Sequence, residues 1–482
     1  MTAPTLYWYR HDLRLSDLPG LVAASRRGPV LPVFILDDTE TRERPLGGAS
    51  RWWLHHSLQS LQSALQDAGG DLILRRGKPE AILRTLLEET GADAIYASRQ
   101  YQPWSQDLEQ DIKQLAEDAG AVFKRFPGTL LYEPEAVTTG SGTPFKVFTP
   151  FWRACLRQPI ENPPVEQPKL GFPKVWPSSE PLDDWQLLPH SPNWAASWSD
   201  LWNPGSNGAH TALKLFLSER VGRYAEGRDV PGETFTSKLS PHLRFGEISP
   251  RQIWWAAKTV KRDRPADSEA VDKFLSEIGW REFCHHLVAQ FPQMPEQPFN
   301  AKFAHFPWGE HPEDVRAWQK GQTGYPIVDA GMRELWQTGF MHNRVRMIVA
   351  SFLCKHLLSH WHEGETWFWD CLLDADIAAN SCSWQWVAGS GADAAPYFRI
   401  FNPVAQGEKF DKDGRYTRRW VPELADLPDK YLHKPWEAPD LVLTAAGVRL
   451  GDNYPQPIVD HKTARETALA AYAHLKAVTA EA

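Results

Sequence analysis

Four segments in the second half of this chain concentrate side chains able to bind anions, exchange protons or stack on a flat ring. The first runs from Tyr224 to Ser240 and holds Arg228, Gly232 and the run Thr236, Ser237, Lys238, Leu239, Ser240, with Pro241 following. Hydroxyls and free backbone N–H groups just ahead of a helix suit a phosphate or pyrophosphate, although plain N-capping uses the same residues. In the second, Glu277, Trp280 and Arg281 fall on adjoining helical faces, so a carboxylate, an indole and a guanidinium can meet a ligand together. A partly buried helix with a surface ion pair is the plainer alternative. The third, Met341–Met347, puts Asn343 and Met347 one turn apart on one face, an amide beside a thioether. Filling the core is the commoner fate of methionine. The fourth, Asp374–Trp386, mixes two carboxylates (Asp374, Asp376), an amide (Asn380) and two indoles (Trp384, Trp386). No oxygen cluster of calcium type accompanies the Asp pair, and His360, His362 and Glu363 do not match HExxH. No metal site is expected.

Those segments need elements to hold them. Residues 1–130 alternate strand candidates (Leu6–Tyr9, Val30–Leu36, Leu72–Leu74, Ala94–Ala97, Val122–Phe126) with helical patterns at 18–25, 51–68, 79–90 and 105–119. This rhythm predicts a doubly wound parallel sheet, with ligands expected at the carboxyl ends of its strands. Neither GxGxxG nor GxxxxGK[ST] is present, which weakens a dehydrogenase or P-loop assignment. Residues 131–205 are rich in proline and carry six tryptophans, which predicts an extended connector packed against a domain. From 206 onward the pattern is helical. Ser240-Pro241 and Ser249-Pro250 read as N-caps followed by proline, and helical spacing covers 269–290, 326–338, 341–360, 365–373 and Thr463–Ala477. The expected architecture is α/β, connector, all-α.

Composition narrows the class. The 482 residues carry a net charge of −8, are 42% hydrophobic and 23% charged, and include 23 tryptophans. That composition is ordinary for a soluble chain except in tryptophan, whose ring goes to cores or binding surfaces. No run is long and apolar enough to span a bilayer, and no signal peptide opens the chain. Five cysteines (155, 284, 354, 371, 382) without CxxC spacing argue against a disulfide framework. A cytoplasmic, monomeric enzyme is expected.

Taken together and in order, segments 276–283, 323–330, 341–347, 374–386 and 399–403, with the opening 8–14, resemble the photolyase/cryptochrome family. Within it, the resemblance is to class I cyclobutane pyrimidine dimer (CPD) photolyases. It implies a Rossmann-like antenna domain over 1–130, a connector over 131–205, and an FAD- and DNA-binding helical domain over 206–482. FAD would be held by Tyr224, Thr236, Ser237, Lys238, Leu239, Ser240, Phe274, Arg346, Asp374, Ala375 and Asp376, with Arg346 pairing Asp374 and Asn380 facing flavin N5. The expected reaction is light-driven electron transfer from reduced FAD to a dimer flipped out of UV-damaged DNA. Trp280 and Trp386 would flank the dimer, Asn343 and Met347 would lie beneath and beside it, and Glu277 would hydrogen-bond it as a protonated donor. Arg228, Arg344 and Arg399 would clamp phosphates, helped by Lys409, Lys412, Arg415 and Arg418. The net negative charge permits this, because DNA binding needs only a local basic patch. Trp384, Trp361 and Trp308 match an electron-transfer row.

Other branches of the family fit less well. The (6-4) photolyases place histidines at the positions of Asn343 and Met347, whereas signalling cryptochromes place Asp or Cys at that of Asn380 and often carry long tails. For the second chromophore, Trp104-Ser105 and Met294-Pro295 replace the Asn-Glu and Cys-Lys pairs of folate binders. Arg51 resembles an arginine of deazaflavin binders. 8-Hydroxy-5-deazaflavin is therefore expected over 5,10-methenyltetrahydrofolate.

Overall fold

A computed structural model describes residues 2–38, 44–160, 162–394 and 398–480. The chain divides into two compact units: Met1–Gly222, Ser237–Pro292 and Leu373–Ala378 form the first, and Arg223–Thr236, Gln293–Leu372 and Ala379–Ala482 the second.

The first unit is built on five parallel strands, β1 (Thr5–Tyr9), β2 (Val30–Leu36), β3 (Ile73–Arg76), β4 (Ala94–Ser98) and β5 (Val122–Phe126), in the order β3-β2-β1-β4-β5. Helices α1 (Pro19–Arg27), α2 (Gly48–Asp67), α3 (Pro79–Thr90) and α4 (Ser105–Asp118) make the crossovers. β2 is buried at all seven positions, which is why its sequence reads as a near-continuous apolar run. β5 is an edge strand whose burial falls away, and it tolerates Lys124 and Arg125. Proline opens α3 at a position with no intrahelical donor to lose, and Gly91 closes it at φ 61°. The strand expected at Leu72–Leu74 lies slightly later, at Ile73–Arg76, paired to β2 from Val33↔Ile73 to Leu36↔Arg76.

The connector is not extended throughout. Residues Phe148–Leu156 form a helix, α5, burying Phe148, Phe151, Trp152 and Cys155. These stand at i, i+3, i+4 and i+7, an amphipathic pattern that outweighs the surrounding prolines. Trp185, Trp198 and Trp202 are also buried, so the indoles do tie this segment down. Two long helices follow, α6 (Pro250–Asp263) and α7 (Ser268–Gln290). Ser249 caps α6 in a reciprocal capping box with Gln252, as its sequence predicts. The other predicted cap differs: Ser240 is already inside the five-residue turn Ser240–Arg244, Leu239 precedes it, and no side chain caps it.

The second unit carries α8 (Pro326–Thr338), α9 (Asn343–Ser351), α10 (Trp361–Cys371) and α12 (His461–Val478). Helix α11 (Ile377–Ala388) begins in the first unit's last segment and continues into the second. The helix expected over 341–360 is broken: α9 runs into one wide turn, Phe352–His356, and Leu358 then adopts φ 50°. Helix α10 consequently starts at Trp361 rather than 365. Two histidines make these starts, His342 Nδ1 accepting from the Arg344 N–H and His360 Nδ1 from the His362 N–H, both at 3.2 Å. An imidazole accepts only when neutral, and burial lowers the pKa of each to about 4.

Candidate functional site

Helix α10 carries Trp361 and α11 carries Trp384, while Trp308 stands in the segment ahead of α10. Trp361 and Trp384 are 1% and 2% exposed, whereas Trp308 is half-buried. Trp308 meets His360 at 5.3 Å between ring centroids, and His360 meets Trp361 at 5.6 Å. The Trp384 indole lies against the α10 backbone at Gly364, where an added Cβ would sit 2.0 Å from it. Gly364 is thus required by close approach.

Asn380, on α11, is buried and its amide is oriented. Nδ2 donates to the Glu365 carbonyl at 2.9 Å and to Glu365 Oε1 at 2.8 Å. Both partners on α10 are acceptors, so the nitrogen must face them and the carbonyl oxygen points elsewhere as an acceptor. Glu365 is the partner of Asn380 that sequence reasoning missed. Its only signal is a carboxylate one turn after Trp361, on the same helical face.

On α9, Val345, Ile348 and Val349 are buried while Asn343 is exposed and Met347 half-buried. Met347 is therefore not core filler; it shares the outer face with Asn343. Arg344 Nη2 bonds Asp229 Oδ1 at 3.0 Å, and Arg228 Nε lies 3.8 Å from the same oxygen. Asp229, also missed, brings these two predicted phosphate-binding arginines together. Arg346 Nε donates to the Met341 carbonyl at 2.7 Å, and the Arg228 guanidinium lies 5.7 Å from the Tyr224 ring. Trp386 is half-buried, and its indole N–H donates to the Asp393 carbonyl at 3.0 Å. Arg399 is exposed.

In the first unit, Trp280 on α7 stacks on Phe148 at 3.8 Å and 9°. Glu277 sits 3.3 Å from Lys273, one turn away, in the ion pair that was the plainer alternative for this segment. Arg281 is tied into the fold, donating to the Thr129 carbonyl at 3.0 Å, so it does not join Glu277 and Trp280 toward a ligand. Asp376 lies 3.5 Å from His285, and the Ala375 carbonyl accepts from Arg244 at 2.6 Å. Phe274 is buried against Phe216 at 4.6 Å. Lys238 takes φ 53° over the Trp202 ring, with Leu239 buried behind it. Ser237 Oγ accepts from the Leu239 N–H at 3.4 Å, while Thr236 belongs to the second unit. Arg51 Nη1 lies 3.3 Å from Asp38, which Arg76 also engages. Elsewhere in this unit a cleft of about 970 Å³, lined by Trp52, His56, Trp202 and His210, contains none of the predicted site residues.

Residues 5–169 match the family described as DNA photolyase, and residues 274–474 match the FAD binding domain of DNA photolyase. The fold and these matches define an FAD-binding protein with a parallel α/β domain ahead of a helical one. The deoxyribodipyrimidine photo-lyase of Agrobacterium fabrum is 54% identical over 480 residues, spanning 99% of both chains. Cryptochrome-2 of Arabidopsis thaliana is 38% identical over 493 residues, spanning 97% of this chain and 78% of that one. The crystal structure of a bacterial class III photolyase from Agrobacterium tumefaciens superposes with a TM-score of 0.95 at 53% identity, covering 99% of this chain and 98% of that one. The chain belongs to the photolyase/cryptochrome family.

The donor set fits a flavin. Reduced flavin carries a hydrogen on N5 that needs an acceptor, and the amide of Asn380, with its nitrogen committed to Glu365, has a carbonyl oxygen of that kind.

Proposed function

We propose that this protein is a DNA photolyase that repairs cyclobutane pyrimidine dimers with light, acting as a cytoplasmic monomer. The single observation that carries the reading is the Asn380–Glu365 pair, which presents an acceptor suited to reduced flavin. Asp or Cys at this position, as signalling relatives have, would not present the same oriented amide. Bound and reduced FAD would supply, on excitation, the electron that lets the dimer's ring open, and would take it back once the two pyrimidines have separated. Tyr224, Thr236, Ser237, Lys238, Leu239, Ser240, Phe274, Arg346, Asp374, Ala375 and Asp376 are assigned to holding it.

The remaining side chains bind and orient DNA. Trp280, backed by Phe148, offers a rigid aromatic face; Trp386, fixed through its N–H, offers a second. Each suits a pyrimidine dimer extruded from the stack, an extrusion that is cheapest at damaged sites. Asn343 and Met347 supply the floor, and Glu277 is assigned to a hydrogen bond with the dimer, exchanging Lys273 for it. Arg228 and Arg344, held by Asp229, with exposed Arg399, take phosphates and fix register without reading sequence. Trp308, Trp361 and Trp384 pass electrons inward from the surface.

The 53% identity to a structure described as a class III photolyase supports that class for this chain over the class I suggested by its motifs. For the second chromophore we retain 8-hydroxy-5-deazaflavin, with Arg51 as its contact. A folate-type absorption band in protein purified from its native host would exclude it. The activity itself is tested by illuminating the reduced holoprotein with a dimer-containing oligonucleotide. Intact thymines must return in the light and not in the dark; bound reduced FAD without their return refutes the proposal.

A further inference from the structure

Lys355 lies in the wide turn Phe352–His356 that follows α9, and it is 1% exposed. Its Nζ donates to the carbonyl of Ala388, the last residue of α11, at 2.5 Å, and stands 3.2 Å from the centroid of the Phe398 ring. Burial lowers its pKa to about 7, and Cys354 is the titratable neighbour that acts on it, in the opposite sense. No ion pair to Lys355 occurs among the described residues. An ammonium without a carboxylate is costly in an interior, and an apolar chain of the same length would fill the space without that cost. What the charge gains here is the negative end of a helix, with a last-turn carbonyl to bind, and an aromatic face.

The clamp sits where the chain turns toward Trp386. Gly389, at φ 94°, faces the same groups: an added Cβ would meet Phe303, Phe398 and Lys355 Nζ at ordinary contact distance, 3.4, 3.5 and 3.6 Å. The N–H groups of Gly389, Ser390 and Gly391 then all donate to the Gln385 carbonyl, at 2.9, 3.0 and 3.0 Å. The loop continues to Asp393, whose carbonyl holds the Trp386 indole N–H. The Gln385 side chain ties the end of α11 to the 294–299 segment, donating to the Met294 and Gln297 carbonyls and accepting from the Phe299 N–H.

We propose that Lys355 is a positioning residue for Trp386: by clamping the end of α11 it sets the loop that orients this indole, and so fixes affinity for the lesion rather than the photochemistry. This rests on the assignment of Trp386 to the lesion. The test is Lys355→Met in the holoprotein, beside Trp386→Ala and the double variant. K355M should retain flavin, and its repair per absorbed photon at saturating lesion should match the parent. Its Kd for dimer-containing duplex should rise about tenfold, the scale of one charge-assisted hydrogen bond, with affinity for undamaged duplex unchanged. In the Trp386→Ala background the same substitution should add nothing. Parental lesion affinity in K355M, an equal loss on undamaged duplex, or a full additional loss in the double variant would each overturn the proposal. A W386A variant that binds lesion like the parent would instead refute the assignment of Trp386. If K355M loses flavin, Lys355→Gln is measured the same way, and loss of flavin in both variants overturns the proposal by making Lys355 a requirement of the fold.

Discussion

Replacing Gly364 with alanine sets two known effects against each other. In a helix interior, Gly→Ala is ordinarily stabilising by about 0.5–1 kcal/mol, through lower backbone entropy in the unfolded chain. Here the new methyl would fall 2.0 Å from one carbon of the Trp384 indole and 2.5 and 2.6 Å from two others. The ring must retreat by more than an ångström, yet Trp384 is 2% exposed and faces Phe368 at 5.0 Å and Trp318 at 6.2 Å. Overpacking of a filled core costs about 1–3 kcal/mol, so at the middle of both ranges the clash should win by about 1 kcal/mol. In a unit of this size that lowers Tm by about 2–4 °C per kcal/mol. The displaced indole should also slow photoreduction of bound oxidised FAD under blue light. Gly140→Ala is the control, since nothing lies within 4 Å of its Cβ. Thermal unfolding and illumination spectra of both variants decide the matter. A G364A protein that melts at or above the parent and photoreduces at the parental rate would show that Trp384 does not sit against α10, or does not carry the electron.

Three further outcomes follow from the same geometry. Asn380→Asp places a second carboxyl against Glu365 Oε1, a pair that cannot easily hold two charges. Its proton is retained more tightly folded than unfolded, so the Tm deficit of this variant should grow between pH 5.5 and 8.5; a pH-independent deficit contradicts the contact. Arg228→Ala and Arg344→Ala should each weaken binding to any DNA sequence and reduce the slope of log K against log salt by about 1, read by fluorescence anisotropy across a salt series. Finally, burial holds His342 and His286 at a pKa of about 4 and His356 at about 3, against roughly 6.5 in an unfolded chain. Between those values the unfolded state binds more protons, so stability rises with pH. Denaturant midpoints should drop from pH 7.5 to pH 5, and His342→Asn, which keeps an N-cap acceptor without the titration, should shrink the drop.

Much of the α/β unit was legible because its signals are periodic or punctuated. Val30–Leu36 and Val122–Phe126 fall at their expected limits, and Pro79 with Gly91 frames α3 as proline and glycine should. The connector differs where proline frequency hides the apolar stripe of the nine-residue helix Phe148–Leu156. The break after α9 was hidden because Phe352–His356 keeps helical hydrophobicity while its backbone widens, and the capping histidines belong to no common N-cap set. At the candidate site, motif resemblance supplies the assigned residues but not the partners the structure shows them to have. Glu365, Asp229 and Lys355 are single polar residues without a period, and only tertiary contacts distinguish them from surface charges. Arg281 shows the converse error: its place in a motif suggested a ligand, while its guanidinium holds the Thr129 carbonyl.

The most direct test of the central claim is lesion repair by the reduced holoprotein under blue light, compared on three oligonucleotides: one with a single cyclobutane thymine dimer, one with a (6-4) product, and one undamaged. The proposal, resting on Asn343 and Met347 where (6-4) enzymes place histidines, predicts light-dependent recovery of thymines from the cyclobutane dimer alone. Recovery from the (6-4) product, or from neither lesion while FAD remains bound and reduced, would contradict it.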